Sequence, residues 1–328
     1  MVGMSEARVC SLASWRGASV ALVGALLVAG CDRPTLSSTA ADPVPPAVVA
    51  EPPVVFGAVA DVQYCDCDAK RTRYYRESVQ KLREAMERIA GAGADFTVSV
   101  GDIIDREFES YAIILPEFRA GPAGDRHYVL GNHEWKVDAA DKSRVLGTLG
   151  LESRYDCFGI DGWRFLILDG TELSTYATVE GSEDRLAADA LLEDLTNSGA
   201  MNAKAYNGAV SPEQLLWLHD ELEQAEAAGE RVLVFSHFPA QPPEGEACLW
   251  NDGDVRWILD QFSDVVVAHI NGHDHRGGYA EAGGIHYLTL NAMVETEDQN
   301  AFAIFRLYQN RVEVEGHGRQ PSYTWSLR

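Results

Sequence analysis

Basic residues are scarce in this chain of 328 residues. Lys and Arg together number 27, whereas Asp and Glu number 50, and the formal net charge is −23. Proteins that bind nucleic acids hold the phosphate backbone with clustered Lys and Arg. The composition therefore argues against a nucleic-acid partner, and solubility accounts for the excess of acid. Hydrophobic residues make up 46% of the chain, which supports a true core and excludes a disordered protein.

Cysteine is also scarce. Two of the six cysteines, Cys10 and Cys31, lie in the first 31 residues, and the others are Cys65, Cys67, Cys157 and Cys248. None of their spacings is typical of a zinc ribbon. In an oxidising compartment some of the last four would be able to pair, although Cys65 and Cys67 are too close in sequence for an ordinary structural disulfide.

The uncharged run at residues 17–30 is too short to span a membrane comfortably, because a transmembrane helix needs about 20 apolar residues. It follows Arg8 and Arg16 and has the form of a secretory signal peptide over residues 1–30. Its end, LVAGC, resembles the lipobox of bacterial lipoproteins. That resemblance implies a lipid on Cys31, and hence an exported lipoprotein of the cell envelope that is anchored to a membrane. An ordinary signal peptide or an uncleaved anchor is the alternative.

The rest of the chain divides into a tether and one folded domain. Residues 31–53 are rich in Pro, Ala and Ser, which is typical of a semi-extended linker. Residues 54–328 form the predicted domain. Within it, residues 171–209 have few strand signals and many polar residues, which indicates a long insertion.

Hydrophobic periodicity predicts an α/β fold for this domain. Helices are predicted at residues 74–93 and 211–229, the second capped by Ser211 with Pro212 at its first position. The predicted strands are residues 54–60, 96–100, 127–130, 163–169, 231–236, 265–270, 285–291, 301–308 and 311–318. Strands and helices alternate early and strands dominate late, so the chain is expected to form an α/β sandwich with mixed sheets.

Polar side chains follow five of the predicted strands. In chain order they are Asp61 and Gln63, then Asp102 and Asp105, then Asn132, His133 and Glu134, then His237, and last His273 and His275. Sites in open α/β sheets lie outside the carboxyl ends of strands, so these side chains are expected to converge. One such group alone would be an ordinary polar turn, but five in order are hard to explain in that way. Carboxylate, amide and imidazole groups suit divalent metals such as Mn, Fe or Zn.

The ordered set DVQ, GDIID, GNHE, SH and GHDH resembles the motifs of the calcineurin-like metallophosphoesterases. Gln63 replaces the usual His of the first motif. Together with ADVQYCDCD, RYYRESV and GHDHRGGY, this substitution is similar to the manganese-dependent ADP-ribose/CDP-alcohol diphosphatases. The resemblance covers residues 54–318 and implies a four-layer α/β/β/α sandwich with mixed β-sheets.

The resemblance also implies two divalent metal ions, with manganese expected first and Mg, Fe or Zn as alternatives. One ion would be held by Asp61, Gln63, Asp102 and His275, and the other by Asp102, Asn132, His237 and His273. Two such ions hold a phosphoryl group and activate a water for in-line attack. The ligands carry only two formal negative charges, so the loaded site would be locally positive and would accept an anionic phosphate. Gln63 adds a neutral, hard oxygen donor, which favours Mn or Mg.

His133 is the predicted catalytic residue. In the family that the motifs resemble, the His of GNH contacts the phosphate and protonates the leaving group, a role suited to imidazole. Glu134 or Asp105 would supply the carboxylate that orients it. The alternative is a loop histidine that is hydrogen-bonded to a carboxylate and takes no part in a reaction.

Substrate-binding residues are less well specified by the sequence. Candidates are Arg71 and Arg73 before the first helix, and Cys248, Trp250 and Asn251 after His237. Trp250 would stack on a base and Asn251 would hydrogen-bond to one. A Trp packed in the core is the alternative.

The predicted function is hydrolysis of the phosphoanhydride in nucleoside-diphosphate conjugates such as ADP-ribose or CDP-choline. A phosphodiesterase acting on cyclic nucleotides, or a phosphomonoesterase, is the alternative with the same fold. A surface-tethered, metal-containing binding protein without turnover is the alternative of another class, and the complete ligand set with His133 argues against it. The oligomeric state does not follow from the sequence.

Overall fold

The computed structural model describes residues 52–121, 124–241 and 245–327. The predicted signal peptide, the lipid site at Cys31 and nearly all of the predicted tether lie outside these residues and stay predictions. Within the described ranges, no helix is long and apolar enough to cross a membrane.

The described residues form two six-stranded sheets and six α-helices. The strands are β1 Val54–Val59, β2 Phe96–Ser99, β3 Asp125–Tyr128, β4 Asp156–Ile160, β5 Trp163–Ile167, β6 Arg231–Phe235, β7 Val266–Asn271, β8 Gly278–Ala282, β9 Ile285–Thr289, β10 Ala301–Leu307, β11 Arg311–Gly318 and β12 Tyr323–Ser326. The helices are α1 Ser78–Gly91, α2 Ser110–Phe118, α3 Val145–Leu149, α4 Glu183–Ser198, α5 Pro212–Ala228 and α6 Asp252–Gln261.

Both sheets are mixed, as the sequence predicted. The first has the order β12-β11-β10-β1-β2-β3, with β1, β2 and β3 parallel and β10 antiparallel to β1. The second has the order β4-β5-β6-β7-β9-β8, with four parallel central strands and an antiparallel strand at each edge. The parallel strands β1, β2, β6 and β7 point their carboxyl ends toward the loops that carry the predicted metal ligands.

Three hydrophobic layers hold the two sheets and the helices together. Between the sheets, Phe56 stacks on Phe96 and Phe305 with ring centroids 4.8 and 4.4 Å apart, and meets Phe165 and Phe235 edge-on. A second core lies under α1 and α2 and a third under α5 and α6. The order helix, sheet, sheet, helix confirms the predicted four-layer sandwich.

Helix α1 begins at Ser78, four residues later than predicted. The backbone N–H of Tyr74 donates to Val294 O at 2.9 Å, and Tyr75 is buried against Cys65 and Val294. These long-range contacts keep residues 74–77 out of the helix, although their hydrophobic pattern is compatible with a helix. Helix α5 begins and ends within one residue of its prediction, because Ser211 caps it through Gln214 N and Gly229 ends it with a positive φ.

Two other features differ from the expectations. Cys65 and Cys67, whose spacing was judged too close for an ordinary structural disulfide, are joined by one across a single intervening residue. The predicted insertion contains helix α4, capped by Ser182, and its ends are joined by a bridge between Leu173 and Ala209. The sequence reasoning found no helix there because α4 buries only Ala188 fully and lacks a strong apolar stripe.

The histidine at position 269 makes the fold sensitive to acid. His269 is fully buried in β7, and burial lowers its pKa from 6.5 to about 3. Since the unfolded chain takes up a proton at this residue near pH 6.5, the stability present above pH 6.5 is lost as the pH falls toward 3. We expect the free energy of unfolding to fall by about 1.4 kcal/mol for each pH unit in that window from this residue alone.

Urea unfolding of metal-free protein between pH 4 and 7.5 tests this prediction. His269→Gln should remove that part of the pH slope, whatever its effect on stability at pH 7.5. The partly exposed His219 serves as the control, and His219→Gln should keep the full slope. Equal slopes in wild type and His269→Gln would contradict the prediction.

Candidate metal centre

The loops after β1, β2, β6 and β7, and the GNH loop after β3, meet at one edge of the two sheets. The loops after β1 and β2 are hydrogen-bonded to each other, with Asp61 N donating to Gly101 O at 3.2 Å and Gln63 N to Asp102 O at 2.8 Å. Asp61, Gln63, Asp102 and His273 all have positive φ values, between 43° and 66°. Such a conformation is costly for non-glycine residues and is concentrated at functional sites. Four of the seven predicted ligands are therefore held in a strained backbone.

Asp102 lies at the centre of the predicted ligands. Its Oδ2 is 3.1 Å from Gln63 Nε2 and 3.2 Å from His237 Nε2. Its Oδ1 accepts a hydrogen bond from the backbone N–H of His133 at 2.8 Å. Asn132 directly precedes His133, so this bond also brings Asn132 close to Asp102. The structure thus brings Asp102 between the two predicted ligand groups.

The other ligands form one group on each side of Asp102. On one side, His275 Nε2 is 3.4 Å from Asp61 Oδ1 and 3.1 Å from Gln63 Nε2. On the other, His273 Nδ1 is 3.2 Å from His237 Nε2, and these two residues with Asp102 form a cluster of metal-binding geometry. The predicted ligands lie together at this edge of the sheets, and the separation of Asp61, Gln63 and His275 from His237 and His273 is compatible with the two predicted ligand sets.

In each of the three predicted histidine ligands, the ring nitrogen that faces away from Asp102 donates a hydrogen bond to an oxygen. His237 Nδ1 donates to Val100 O at 2.9 Å, His273 Nε2 to Asn207 Oδ1 at 2.9 Å, and His275 Nδ1 to Glu295 Oε1 at 2.7 Å. With the proton on that nitrogen, the inner nitrogen has a free lone pair. This is the arrangement by which proteins fix the tautomer of a metal-binding histidine.

Three buried oxygens at the centre have no hydrogen-bond partner among the described residues. They are Asp61 Oδ1, Gln63 Oε1 and Asn132 Oδ1. A buried polar atom without a partner is costly and calls for an explanation, and an ion is one. The residues present therefore fit two divalent cations, because hard oxygen donors and free imidazole nitrogens surround the same space.

The electrostatics of the centre set a condition for metal binding. Burial by itself would raise the pKa of the Asp102 carboxyl, but His237 and His133 hold it well below its ordinary value. Burial lowers the pKa of His237, yet Asp102 outweighs burial and raises it to about 9. A metal ligand must be a neutral imidazole, so metal binding by His237 requires release of this proton.

Two glycines of the motifs lie so close to predicted ligands that no side chain fits at their positions. A Cβ at Gly101, whose φ is +94°, would lie 2.4 Å from His237 Nδ1, and one at Gly131 would lie 2.2 Å from Asp102 Oδ1. A side chain at either position would displace a predicted ligand. The GD and GNH motifs thus need glycine for the geometry of the site.

His133 lies in a short 3₁₀ helix, His133–Trp135, directly beside the centre. Its Nδ1 is 2.8 Å from Asp105 O and 3.1 Å from Asp105 Oδ1, and its Nε2 is 3.9 Å from Asp102 Oδ2. Of the two carboxylates predicted to orient it, Asp105 does so. His133 therefore presents Nε2 toward the predicted metals.

Glu134 has a different role from the one predicted for it. Its carboxylate accepts hydrogen bonds from the backbone of Asp102, Ile103 and Gly131 at 2.7 to 2.9 Å, which ties the GD loop to the GNH loop. Burial, with the nearby Asp102 charge, raises the Glu134 pKa to about 7. Glu134 holds the two loops in register and does not touch the His133 ring.

The predicted substrate-binding residues divide into two groups. Arg71 and Arg73 line a cavity of about 700 Å³ that reaches His133, and Arg73 also lines an adjoining cavity of about 390 Å³ over the metal ligands. Cys248, Trp250 and Asn251 line neither cavity. Cys248 and Trp250 are buried, Trp250 Nε1 donates to Lys204 O, and Asn251 bonds to the backbone of Val210. These three residues stabilise the loop after His237, and the structure does not support their proposed contact with substrate.

Sequence reasoning missed several residues at the site. Asn207 reaches His273 from the insertion, and Glu295 reaches His275 from the loop after β9. Tyr206 is 45% exposed, with its ring 5.6 Å from that of His273. Lys136 follows the GNHE motif, and its Nζ is 2.6 Å from His133 Nε2. Tertiary contacts bring Asn207, Glu295 and Tyr206 to the centre, so no local pattern marks them, whereas Lys136 is placed by its position three residues after His133.

Comparisons with known proteins agree with this geometry. The family described as calcineurin-like phosphoesterase matches residues 54–277. The manganese-dependent ADP-ribose/CDP-alcohol diphosphatase of Danio rerio is 30% identical and spans 84% of this chain and 98% of its own length. The protein of the same name from Arabidopsis thaliana is 29% identical and spans 83% and 96%. A solved dimetal phosphatase from Danio rerio has a TM-score of 0.77 at 28% identity and covers 85% of this chain and 100% of its own.

Proposed function

This chain belongs to the calcineurin-like phosphoesterase family, and we propose that it hydrolyses the phosphoanhydride of nucleoside-diphosphate conjugates. The protein is a metal-dependent hydrolase, and the finer assignment concerns its substrate. The conjugates that we propose are ADP-ribose and CDP-alcohols such as CDP-choline, after the names of the relatives that it resembles over nearly their whole length. The observation that carries the proposal is the convergence of seven metal-binding side chains with His133 beside them.

The seven residues would hold two divalent ions, and we propose manganese. Asp61, Gln63 and His275 lie on one side of Asp102 and His237 and His273 on the other, and we assign Asn132, whose buried Oδ1 has no partner among the described residues, to the second group. Gln63 favours manganese or magnesium because it offers an amide oxygen where an imidazole is usual. When bound, such ions stabilise charge on phosphoryl oxygens and lower the pKa of water.

The protein's own groups supply orientation and proton transfer. His133 has its Nδ1 held by Asp105 and turns its Nε2, which lies 2.6 Å from Lys136 Nζ, toward the predicted metals, so a proton carried at Nε2 can pass to the oxygen that leaves. The half-exposed Tyr206 offers a ring on which a nucleobase can stack beside the metal ligands. The cavities on either side of His133 together have room for both halves of a diphosphate conjugate.

Parallel assays of residues 54–328 loaded with manganese test the proposal. We expect AMP from ADP-ribose and CMP from CDP-choline, with little cleavage of cyclic AMP or p-nitrophenyl phosphate. Cleavage of only cyclic AMP or the nitrophenyl ester would keep the hydrolase and overturn the substrate. Two bound metals without turnover of any of these esters would favour a metal-containing binding protein.

A further inference from the structure

An excess of positive charge lines the larger cavity beside His133. Its walls carry five cationic side chains and two carboxylates, an excess of three positive charges in a chain whose formal net charge is −23. The cations are Lys70, Arg71, Arg73, Arg106 and Lys136, and the carboxylates are Asp105 and Glu295. A concave site lined by cations has a positive electrostatic potential and attracts anions, even in an acidic protein.

Lys136 occupies the wall that separates the two cavities. Together with His133 and Arg73 it lines both the larger cavity and the one over the metal ligands. Its Nζ is 2.6 Å from His133 Nε2, the atom that faces Asp102 and the predicted metals. A group that receives a proton from His133 would therefore lie within reach of the Lys136 ammonium.

The loop that carries three of the cations is fixed by backbone hydrogen bonds. Lys70 and Arg73 exchange two of them at 3.0 and 3.1 Å, which makes residues 70–73 a tight turn. Tyr74 N and Thr72 O bond to the backbone of residues 294 and 296, the segment that also carries Glu295. The backbone that carries these three side chains is thus fixed, which reduces the backbone entropy lost when an anion binds.

We propose that this cavity binds the phosphate of the leaving group, with Lys136 and Arg106 as specificity-determining residues. The inference rests on the proposed function and deepens it. Hydrolysis adds water across the P–O–P linkage: the oxygen of water bonds to one phosphorus, and the bridging oxygen leaves with the other phosphate. The leaving group carries a phosphate only when the substrate is an anhydride. The cationic cavity therefore favours diphosphate conjugates over esters whose leaving group is an alcohol or a phenol.

Two substrates that differ in the charge of the leaving group test the inference. CDP-choline releases phosphocholine, whereas the p-nitrophenyl ester of thymidine 5′-phosphate releases a phenol of comparable acidity and without a phosphate. Because both leaving groups need similar help from His133, a difference between them reports on the charged cavity. We expect Lys136→Met to lower kcat/KM for CDP-choline about 30-fold and for the ester less than threefold, a fold-change typical of one lost charge-assisted contact.

A second variant and two controls complete the design. Arg106→Gln should shift the ratio of the two substrates in the same direction, and Lys136→Arg should restore most of it. Arg88→Gln removes a positive charge from the exposed last turn of α1, outside both cavities, and should leave the ratio unchanged. Phosphocholine should also inhibit hydrolysis of the ester by wild type at least tenfold more strongly than hydrolysis by Lys136→Met.

The outcomes separate this inference from the proposed function. Equal losses on both substrates in Lys136→Met, with phosphocholine inhibition unchanged, would overturn the inference alone. Cleavage of the ester but of no diphosphate conjugate by wild type would overturn the proposed function and the inference together.

Discussion

Asp102→Asn is expected to lose both metal ions and to lower kcat at least ~10³-fold, because bound divalent ions supply several kcal/mol of charge stabilisation in phosphoryl transfer. The Asp102 side chain lies between both ligand groups, within 3.2 Å of Gln63 Nε2 and of His237 Nε2. Asn has the same shape but no charge. The change removes one of only two carboxylates, Asp61 and Asp102, among the seven proposed ligands.

The cost of this substitution extends to the neighbouring groups. Asp102 Oδ1 accepts the hydrogen bond of the His133 backbone, and an amide with the wrong orientation would place a donor against that N–H. His237 is fully buried, and it owes its raised pKa of about 9 to Asp102, which outweighs burial. With Asn at this position the imidazole should titrate lower, so metal loss cannot be attributed to competition from a proton on His237. The loss of metal in Asp102→Asn would then be caused by the loss of the carboxylate charge and of a ligand shared by both ions.

Metal content by mass spectrometry, measured together with turnover, checks the prediction. Asp61→Asn should lose one ion more readily than the other, because Asp61 belongs to one ligand group. Asp68→Asn removes an exposed carboxylate that pairs with Arg76 and should keep both ions. An Asp102→Asn protein that holds two ions and retains activity within tenfold of wild type would show that Asp102 does not bridge.

The proposed ligands were predictable because each one follows a strand with a clear hydrophobic pattern. "FTVSV" and "VVVAHI" are runs rich in β-branched residues that end two residues before Asp102 and three residues before His273. The parallel pairing of β1 with β2 and of β6 with β7 brings their ends to one edge. The order of polar residues along the chain was therefore enough to predict that they converge, whereas their division between two ions came from the resemblance to the family. Amphipathic α5 was predictable for a similar reason, since its cap, its first-turn Pro and its terminal Gly are local signals.

The parts that failed depend on contacts that no local pattern records. Trp250 has an aromatic ring that could stack on a base, but helix α4 of the insertion covers it, and it is only 3% exposed. Asn207 lies in a segment without strand or helix signal and yet fixes the His273 ring. Lys136 directly follows the short 3₁₀ helix that begins at His133, but no pattern in the sequence distinguishes it from the other lysines of the chain. Specificity is thus encoded mainly in tertiary contacts, whereas the metal centre is encoded in the motifs.

His133→Ala is expected to lower kcat by roughly 10²–10⁴-fold, the usual contribution of general acid catalysis, while leaving both metals bound. His133 offers no atom to the proposed ligand groups, and its Nε2 is 3.9 Å from Asp102 Oδ2. Its backbone N–H, which supports Asp102, is kept in the Ala variant. His133→Ala should therefore lower kcat without changing the metal content, whereas Asp102→Asn should lower both.

The dependence on the leaving group is the sharper measurement for His133. A proton donated by His133 matters most when the leaving oxygen is basic, so His133→Ala should lose more activity on alkyl esters of a nucleotide than on the p-nitrophenyl ester. Asp105→Asn should give a smaller loss with the same trend, because Asp105 only orients the ring through Nδ1. Equal losses on all leaving groups would instead indicate that His133 binds the phosphate without donating a proton. A loss of metal in His133→Ala would show that the ring supports the centre and would remove the case for general acid catalysis.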